Sequence, residues 1–306
     1  MKIIITGSLA FDFIMDFPGK FSDHILPEKI HAINLSFLVK TMKKQRGGTA
    51  GNIAYNLALL GLRPTILAAA GNDFADYKNF LKKSGVDTSM IRIIRVEPTA
   101  SAFIFTDMAD NQITGFYPGA MRQATKLKIE AADFVVIAPN EPEAMINFAK
   151  ECQKFGIPYL FDPGMQLPRL SVEDLACGVR VAKILIGNDY EMALINEKLK
   201  RKMDKDKILI TTLGEKGSII EADGKIYKIP PAKPKKVLDP TGAGDAYRAG
   251  FLAGYLRGFH LSVCGKMGSV CAVYTVEKYG TQTHRFTLRE FTERYKQNFK
   301  QNLSIS

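Results

Sequence analysis

Short apolar runs without polar alternation recur along the chain: Ile3-Ile4-Ile5, Thr65-Ile66-Leu67, Phe134-Val135-Val136-Ile137, Pro158-Tyr159-Leu160-Phe161, Ile184-Leu185-Ile186 and Ile208-Leu209-Ile210. Runs of this kind suit strands covered on both faces. Helix-period stretches separate them, over about 49–60, 73–84, 141–155, 172–182 and 188–202. The alternation predicts an α/β chain with a doubly wound, mostly parallel sheet and helices on both faces. Two regions break the rhythm. Residues 11–46 and about 96–117 have no helix period and read as extended segments, with a hairpin expected at Asp110-Asn111 between Ala102–Phe105 and Gln112–Phe116. They predict a small separate β-sheet placed to act as a lid. Edge strands with no such role are the plainer reading. From Gly242 to about 278 the pattern turns helical and rich in Ala, Gly and Val.

Composition narrows the class. With 306 residues, 46% hydrophobic and 24% charged, the chain can bury a core without disulfides or structural metal, and a disordered chain is excluded. No apolar run approaches the roughly 20 residues that cross a bilayer. The opening Ile3-Ile4-Ile5 is cut short by Gly7, Ser8 and Asp12, so a buried strand is expected there rather than a signal segment. Cys152, Cys177, Cys264 and Cys271 form no CxxC pair and read as reduced thiols of a cytoplasmic protein. The four histidines have no metal-ligand spacing. The net charge of +11 includes basic clusters at Lys198–Lys207 and Lys233–Lys236. These are interleaved with acids and carry no nucleic-acid motif, so a solvated basic surface is preferred to a nucleic-acid groove.

The densest chemical signal is Asp239-Pro240-Thr241-Gly242-Ala243-Gly244-Asp245, followed by a helical run. The first amides of a helix have no intrahelical acceptor, and together with the dipole they form a site for an anion. A carboxylate at Asp245 opposes an anion there unless it accepts a proton from a hydroxyl attacking a bound phosphate. The segment is neither a Rossmann fingerprint, whose last Gly would fall on Tyr247, nor a Walker loop, whose Gly-Lys-Ser/Thr the chain lacks.

This segment resembles the signature of the ribokinase-like (PfkB) carbohydrate and nucleoside kinases, and the likeness extends over essentially the whole chain. Gly47-Gly48-Thr49-Ala50-Gly51-Asn52 resembles the second family signature. The resemblance implies a ribokinase-like fold, one kinase unit with a large α/β part (about 1–10, 47–95 and 118–306) and a β lid (about 11–46 and 96–117). It implies catalytic roles for Asp245 as general base and for Gly242, Ala243 and Gly244 as an anion hole. Asp12, in Gly7-Ser8-Leu9-Ala10-Phe11-Asp12, with Gly47, Gly48 and Asn52, is implied in holding substrate hydroxyls. Asn188-Asp189-Tyr190-Glu191 resembles the Asn-x-x-Glu motif, with Asn188 and Glu191 addressing Mg2+ through water. A capping box explains the same pair without a metal. Thr211-Thr212-Leu213-Gly214-Glu215-Lys216-Gly217 resembles the nucleotide loop and gives Thr212, Gly214 and Gly217, with Thr241, to ATP. Asp239 matches a position at a monovalent-cation (K+) site.

Within the family, Phe105-Thr106-Asp107, Phe161-Asp162-Pro163-Gly164 and Asp245–Phe251 look most like adenosine and other nucleoside kinases. The expected reaction is ATP-dependent phosphorylation of the 5′-hydroxyl of adenosine or another purine nucleoside. Phe103, Phe105, Phe116 and Met121 are expected around the base, with packing inside the lid as the plainer reading of any one of them, and Gln112 is expected among the substrate-binding residues. A sugar kinase acting on ribose, fructose or a related compound is the alternative, for which Glu141 is the residue expected near the sugar. A non-catalytic nucleoside sensor or nucleic-acid binder is the third reading, against which the intact Asp245 and Glu191 argue. No membrane or nucleic-acid partner is expected; monomer and homodimer both stay open.

Overall fold

The computed structural model describes residues 1–25, 34–109, 111–200 and 206–305. The chain order is β1 (Ile3–Thr6), β2 (Ala10–Asp16), β3 (Thr41–Gly47), α1 (Thr49–Leu59), β4 (Thr65–Gly71), α2 (Ala75–Lys83), β5 (Ile91–Ile94), β6 (Ala100–Thr106), β7 (Gln112–Tyr117), β8 (Phe134–Ile137) and α3 (Pro142–Phe155). It continues with β9 (Tyr159–Phe161), α4 (Val172–Arg180), β10 (Ile184–Asn188), α5 (Asp189–Leu199), β11 (Ile208–Thr212), β12 (Ser218–Ala222), β13 (Lys225–Ile229), α6 (Ala243–Tyr255), α7 (Leu261–Val276) and α8 (Leu288–Phe299).

Nine strands form the main sheet in the order β13-β12-β11-β10-β9-β8-β1-β4-β5. All neighbours run parallel except β11-β12 and β12-β13. The alternation of side chains along a strand splits the core in two. Ile3 and Ile5 point to a layer shared with α1, α2, α6, α7 and α8, while Ile4 points to a layer shared with α3, α4 and α5. All six expected strands fall in this sheet. The sequence reading did not single out β5, β12 or β13, which are short or half-exposed and carry alternating rather than continuous apolar residues.

The two extended regions form a second sheet, ordered β3-β2-β6-β7. Its β6 and β7 pair antiparallel, Phe105 opposite Ile113. Asp110 of the expected hairpin lies outside the described residues, as do Arg201, Lys202 and Lys205 of the basic cluster. The helical region after Gly242 forms two helices, α6 and α7, separated where Gly258 takes a left-handed φ of 75°. Cys264 and Cys271 are both buried on α7, and the four cysteines are free thiols.

Helices α6 and α7 meet at their backbones. A Cβ on Gly250 would stand 2.6 Å from the Met267 carbonyl oxygen and 2.7 Å from the Gly268 Cα. Alanine has the better helix propensity, but here it must push two helices apart in a close-packed core. Gly250→Ala is therefore expected to lower the urea unfolding free energy by about 1–3 kcal/mol, the usual cost of overpacking. A variant unfolding at or above the wild-type midpoint would contradict this account.

Candidate active site

In open α/β sheets, ligands bind beyond the carboxyl ends of the strands. The loops after β1 and β9 and the ends of β10 and β11 carry Ser8, Asp162, Asn188 and Thr212 to that edge. Two cavities open there. The first, of about 430 Å³, is lined from one side by Asp12, Gly48 and Asn52 and from the other by Asp245, Arg248 and Glu191. Strands β6 and β7 of the second sheet line it with Ala102, Ile104, Thr114 and Phe116. The second, of about 460 Å³, lies between the β11-β12 turn and helices α6 and α7 and has apolar walls from Pro231, Val237, Ala272, Val273 and Val276. Gly244 lines both.

Local sequence explains that junction. Gly242 caps α6 with a left-handed φ of 78°, and a Cβ there would lie 2.7 Å from the Thr281 Cγ2. The Ala243 amide turns to the Pro240 carbonyl at 3.2 Å, and Ala246 is the first to donate down the helix, to Gly242 at 3.0 Å. The Gly244 and Asp245 amides precede that ladder and belong to the group a helix start leaves for an anion. Asp245 stands in this first turn, half-buried.

A polar network holds the carboxylate. Asn52 Nδ2 donates to Asp245 Oδ2 at 2.8 Å, and Asn52 Oδ1 accepts from Gln282 Nε2 at 2.8 Å, with the Thr281 hydroxyl 2.7 Å away. Gln282 also donates to Tyr77, whose hydroxyl donates to the Gly47 carbonyl at 2.9 Å. Burial raises the Asp245 carboxyl above the ordinary range; Arg248 and the Asn52 hydrogen bond pull it down, and the Asp12 charge adds to the rise. Asp12 itself is pushed up to about 6 by burial and by Asp239.

Of the residues singled out from sequence, Asp12, Gly48, Asn52, Glu191, Thr241, Gly242, Gly244 and Asp245 line the first cavity, and Thr212, Gly214, Gly217, Ala243 and Gly244 the second. Gly47 lines neither, but a Cβ there would stand 2.2 Å from Asp12 Oδ2, so its bare backbone makes room for that carboxylate. Phe103 also lies elsewhere. It stacks on Phe13 at 5.1 Å, on the face of the lid opposite Ala102 and Ile104, and Phe105 packs beside Phe37. Phe116 and Met121 do reach the cavity. Gln112 is exposed and donates to Thr106 Oγ1 at 3.5 Å. Glu141 is paired with Arg169 at 3.0 Å, away from the lining. Asn188 and Glu191 form a capping box at the start of α5, each backbone amide donating at 2.8 Å to the other's side chain. Asp239 accepts from the Thr241 amide at 2.9 Å and the Gly280 amide at 3.0 Å, tying two loops together.

The sequence reading gave no role to Arg248 or Asp162. Both are buried, and Arg248 Nε lies 2.5 Å from Asp162 Oδ2. An acid at the carboxyl end of a buried strand was the available signal for Asp162. Thr281 and Gln282 had none, because some 230 residues separate them from Asn52.

A profile described as pfkB family carbohydrate kinase matches residues 19–287. The chain is 36% identical over 295 residues to a nucleoside kinase of Methanothermobacter thermautotrophicus, covering 92% of this chain and 91% of that protein. It superposes on a Burkholderia thailandensis nucleoside kinase in complex with inosine with a TM-score of 0.89 and 34% identity, covering 98% of this chain and 99% of the other. For the same Burkholderia kinase in complex with ADP-inosine the TM-score is 0.86, with 35% identity and 99% and 98% coverage.

Removing one partner of a buried ion pair costs about 3–5 kcal/mol. Arg248→Leu leaves Asp162 buried with Glu191 and Asp245 nearby, all of which raise its pKa. A carboxyl held above its unfolded value destabilises the fold once pH exceeds that unfolded value. The loss, read as the difference from wild type in urea titrations, is therefore expected to be larger at pH 8 than at pH 5; an equal loss at both would contradict the pairing.

Proposed function

The chain belongs to the pfkB family of carbohydrate kinases, phosphotransferases with an alcohol group as acceptor, and on that premise we propose that it transfers the γ-phosphoryl group of ATP to the 5′-hydroxyl of a purine nucleoside, adenosine among them. The observation that carries this reading is Gly244, shared by two cavities at a helix N-terminus, with the Asp245 carboxylate in the first of them. The nucleoside takes the first cavity, whose volume is that of a small-molecule site. Asp12 accepts from the ribose hydroxyls across the bare backbone of Gly47 and Gly48. Ile104, Phe116 and Met121 offer the apolar wall a base needs. The nucleotide takes the second cavity, its phosphates directed at the start of α6.

Asp245 accepts the 5′-hydroxyl proton as the oxygen forms its bond to the γ-phosphorus, and the bond to the β–γ bridging oxygen breaks, its electron pair leaving with ADP. Asn52 aims the carboxylate. The Gly242, Gly244 and Asp245 amides meet the charge on the phosphoryl oxygens, whereas the Ala243 amide, expected in that set, turns to the Pro240 carbonyl. Among the described residues no three His, Cys, Asp or Glu side chains converge on a metal. That suits Mg2+, which is ordinarily held by substrate phosphates, water and one or two carboxylates. Glu191, lining the first cavity, is the carboxylate that would face it; it and Asn188 each also give one side-chain oxygen to the helix cap. When bound, Mg2+ neutralises phosphate charge. Each Asp239 oxygen accepts from one amide, which leaves lone pairs for a monovalent cation such as K+ at this position. Among the described residues no helix is long and apolar enough to cross a membrane; the four free thiols suit a reducing, cytoplasmic setting.

The relatives named above, a nucleoside kinase and a kinase bound to inosine, support the nucleoside reading. The sugar reading loses its residue, because Glu141 pairs with Arg169 outside the cavity. An ADP-release panel of adenosine, inosine, guanosine, cytidine, ribose and fructose 6-phosphate tests the choice. Purine nucleosides are expected to give the highest kcat/KM, and turnover of ribose or fructose 6-phosphate alone would overturn the nucleoside assignment.

The base is tested separately. Asp245→Asn is expected to lower kcat by about 10²- to 10⁴-fold with ADP affinity retained, and undiminished turnover would remove Asp245 from the mechanism. Because the base must be ionised and its pKa is raised, kcat falls on the acid side at a pH above the ordinary carboxylate range. Asp12 repels the Asp245 charge, so Asp12→Asn is expected to move that acid limb of kcat to lower pH. An unmoved or upward-shifted limb would show that the two carboxylates are not coupled.

A further inference from the structure

Arg248 stands one turn after Asp245 on α6, and positions three apart share a helix face. Its side chain lines the first cavity although only 7% of its surface is exposed. Its Nη1 lies 2.8 Å from the point that a Cβ on Gly244 would occupy, so the guanidinium rests against the backbone that starts the helix. The other end of the fork is fixed by Asp162, 1% exposed, at 2.5 Å from Arg248 Nε.

The pair is poorly arranged for stability alone. A buried ion pair offsets its desolvation only when the remaining lone pairs and protons are satisfied. Here Asp162 Oδ1 and Arg248 Nε are both buried without a well-directed hydrogen-bond partner. Around this one guanidinium stand three carboxylates, Asp162, Asp245 and Glu191, and the first cavity is lined by all three. A phosphoryl group entering such a site meets net repulsion unless a cation faces it. An arginine whose Nε side lies against an acid still presents its two Nη groups, the geometry that matches phosphate oxygens.

We propose that Arg248 is a catalytic residue that donates from its Nη groups to the phosphoryl group in transit, and that Asp162 is the positioning residue that aims it. The inference rests on the kinase reading given above. Arg248 transfers no proton: the acceptor's proton still goes to Asp245, and the electron pair still leaves with ADP. The interaction strengthens as charge spreads over the phosphoryl oxygens, so it belongs to the transition state and acts on kcat rather than on nucleotide binding.

The test removes the pair as a unit. Replacing both partners of a buried pair with apolar residues is often neutral for stability, so Arg248→Met/Asp162→Leu is expected to fold. Thermal melting, kcat, KM for each substrate and ADP affinity with and without aluminium fluoride are measured, using whichever acceptor the wild type phosphorylates. The expected result is a kcat lowered about 10²- to 10³-fold, ADP affinity close to wild type, and loss of the tighter binding that aluminium fluoride confers in the presence of acceptor. A folded double variant with wild-type kcat would overturn the proposal and leave the pair a structural one. Should the double variant fail to fold, Arg248→Lys decides: it keeps the charge and loses the fork, so a reduced kcat at unchanged melting temperature supports the role and an undiminished kcat overturns it. A wild type that turns over a sugar but no nucleoside would sink the substrate assignment, while the Arg248 measurement on that sugar would still stand.

Discussion

The candidate site sets the Asp245 carboxylate in the first turn of a helix, where burial and ionisation are in conflict. Asp245 sits at the start of α6, where the helix dipole and free amides favour negative charge, yet burial and the neighbouring Asp12 work against its ionisation. Two contacts answer that conflict. Asn52 donates to one carboxylate oxygen, and Arg248 stands one turn along the same helix. Both pull the carboxyl back down against burial and the Asp12 charge. The Asn52-Thr281-Gln282-Tyr77 network then ties that carboxyl to α1, α2 and the segment after α7, so that three distant parts of the chain support one acid.

The glycines at the site also do steric work. At Gly47 a side chain would strike Asp12, at Gly242 it would strike Thr281, and at Gly244 it would strike Arg248. Each leaves space for a neighbouring side chain. The same device sets the α6–α7 contact through Gly250 and Gly268, which brings the helix carrying Asp245 close against the helix that walls the second cavity. The depth of the core and the shape of the site are therefore coupled through close backbone packing.

The lid shows where periodicity falls short. Its strands are plain in the sequence, but a strand presents alternate residues to opposite faces, and a shift of one reverses the choice. Aromatic residues drew attention to Phe103 and Phe105, yet Ala102 and Ile104 face the cavity. The register with β2 decides this. Asp12 pairs with Ala102 and Phe13 with Phe103, so the acid and the small residue share one face and the two stacked rings share the other.

Local pattern alone determined the alternating strands and helices, the buried character of the main sheet, the helix start at Gly242–Asp245 and the capping box at Asn188–Glu191, because each depends on neighbours within a few residues. The family likeness came from the same short segments. Tertiary structure decided what local pattern cannot carry: that Arg248 meets Asp162, that Asn52 is shared among Asp245, Thr281 and Gln282, that Glu141 turns to Arg169, and which face of the lid looks inward. Those partners lie about 30 to 230 residues apart. Their meeting is fixed by the order of strands in the sheet and by the layers the helices take, quantities that no stretch of sequence encodes by itself.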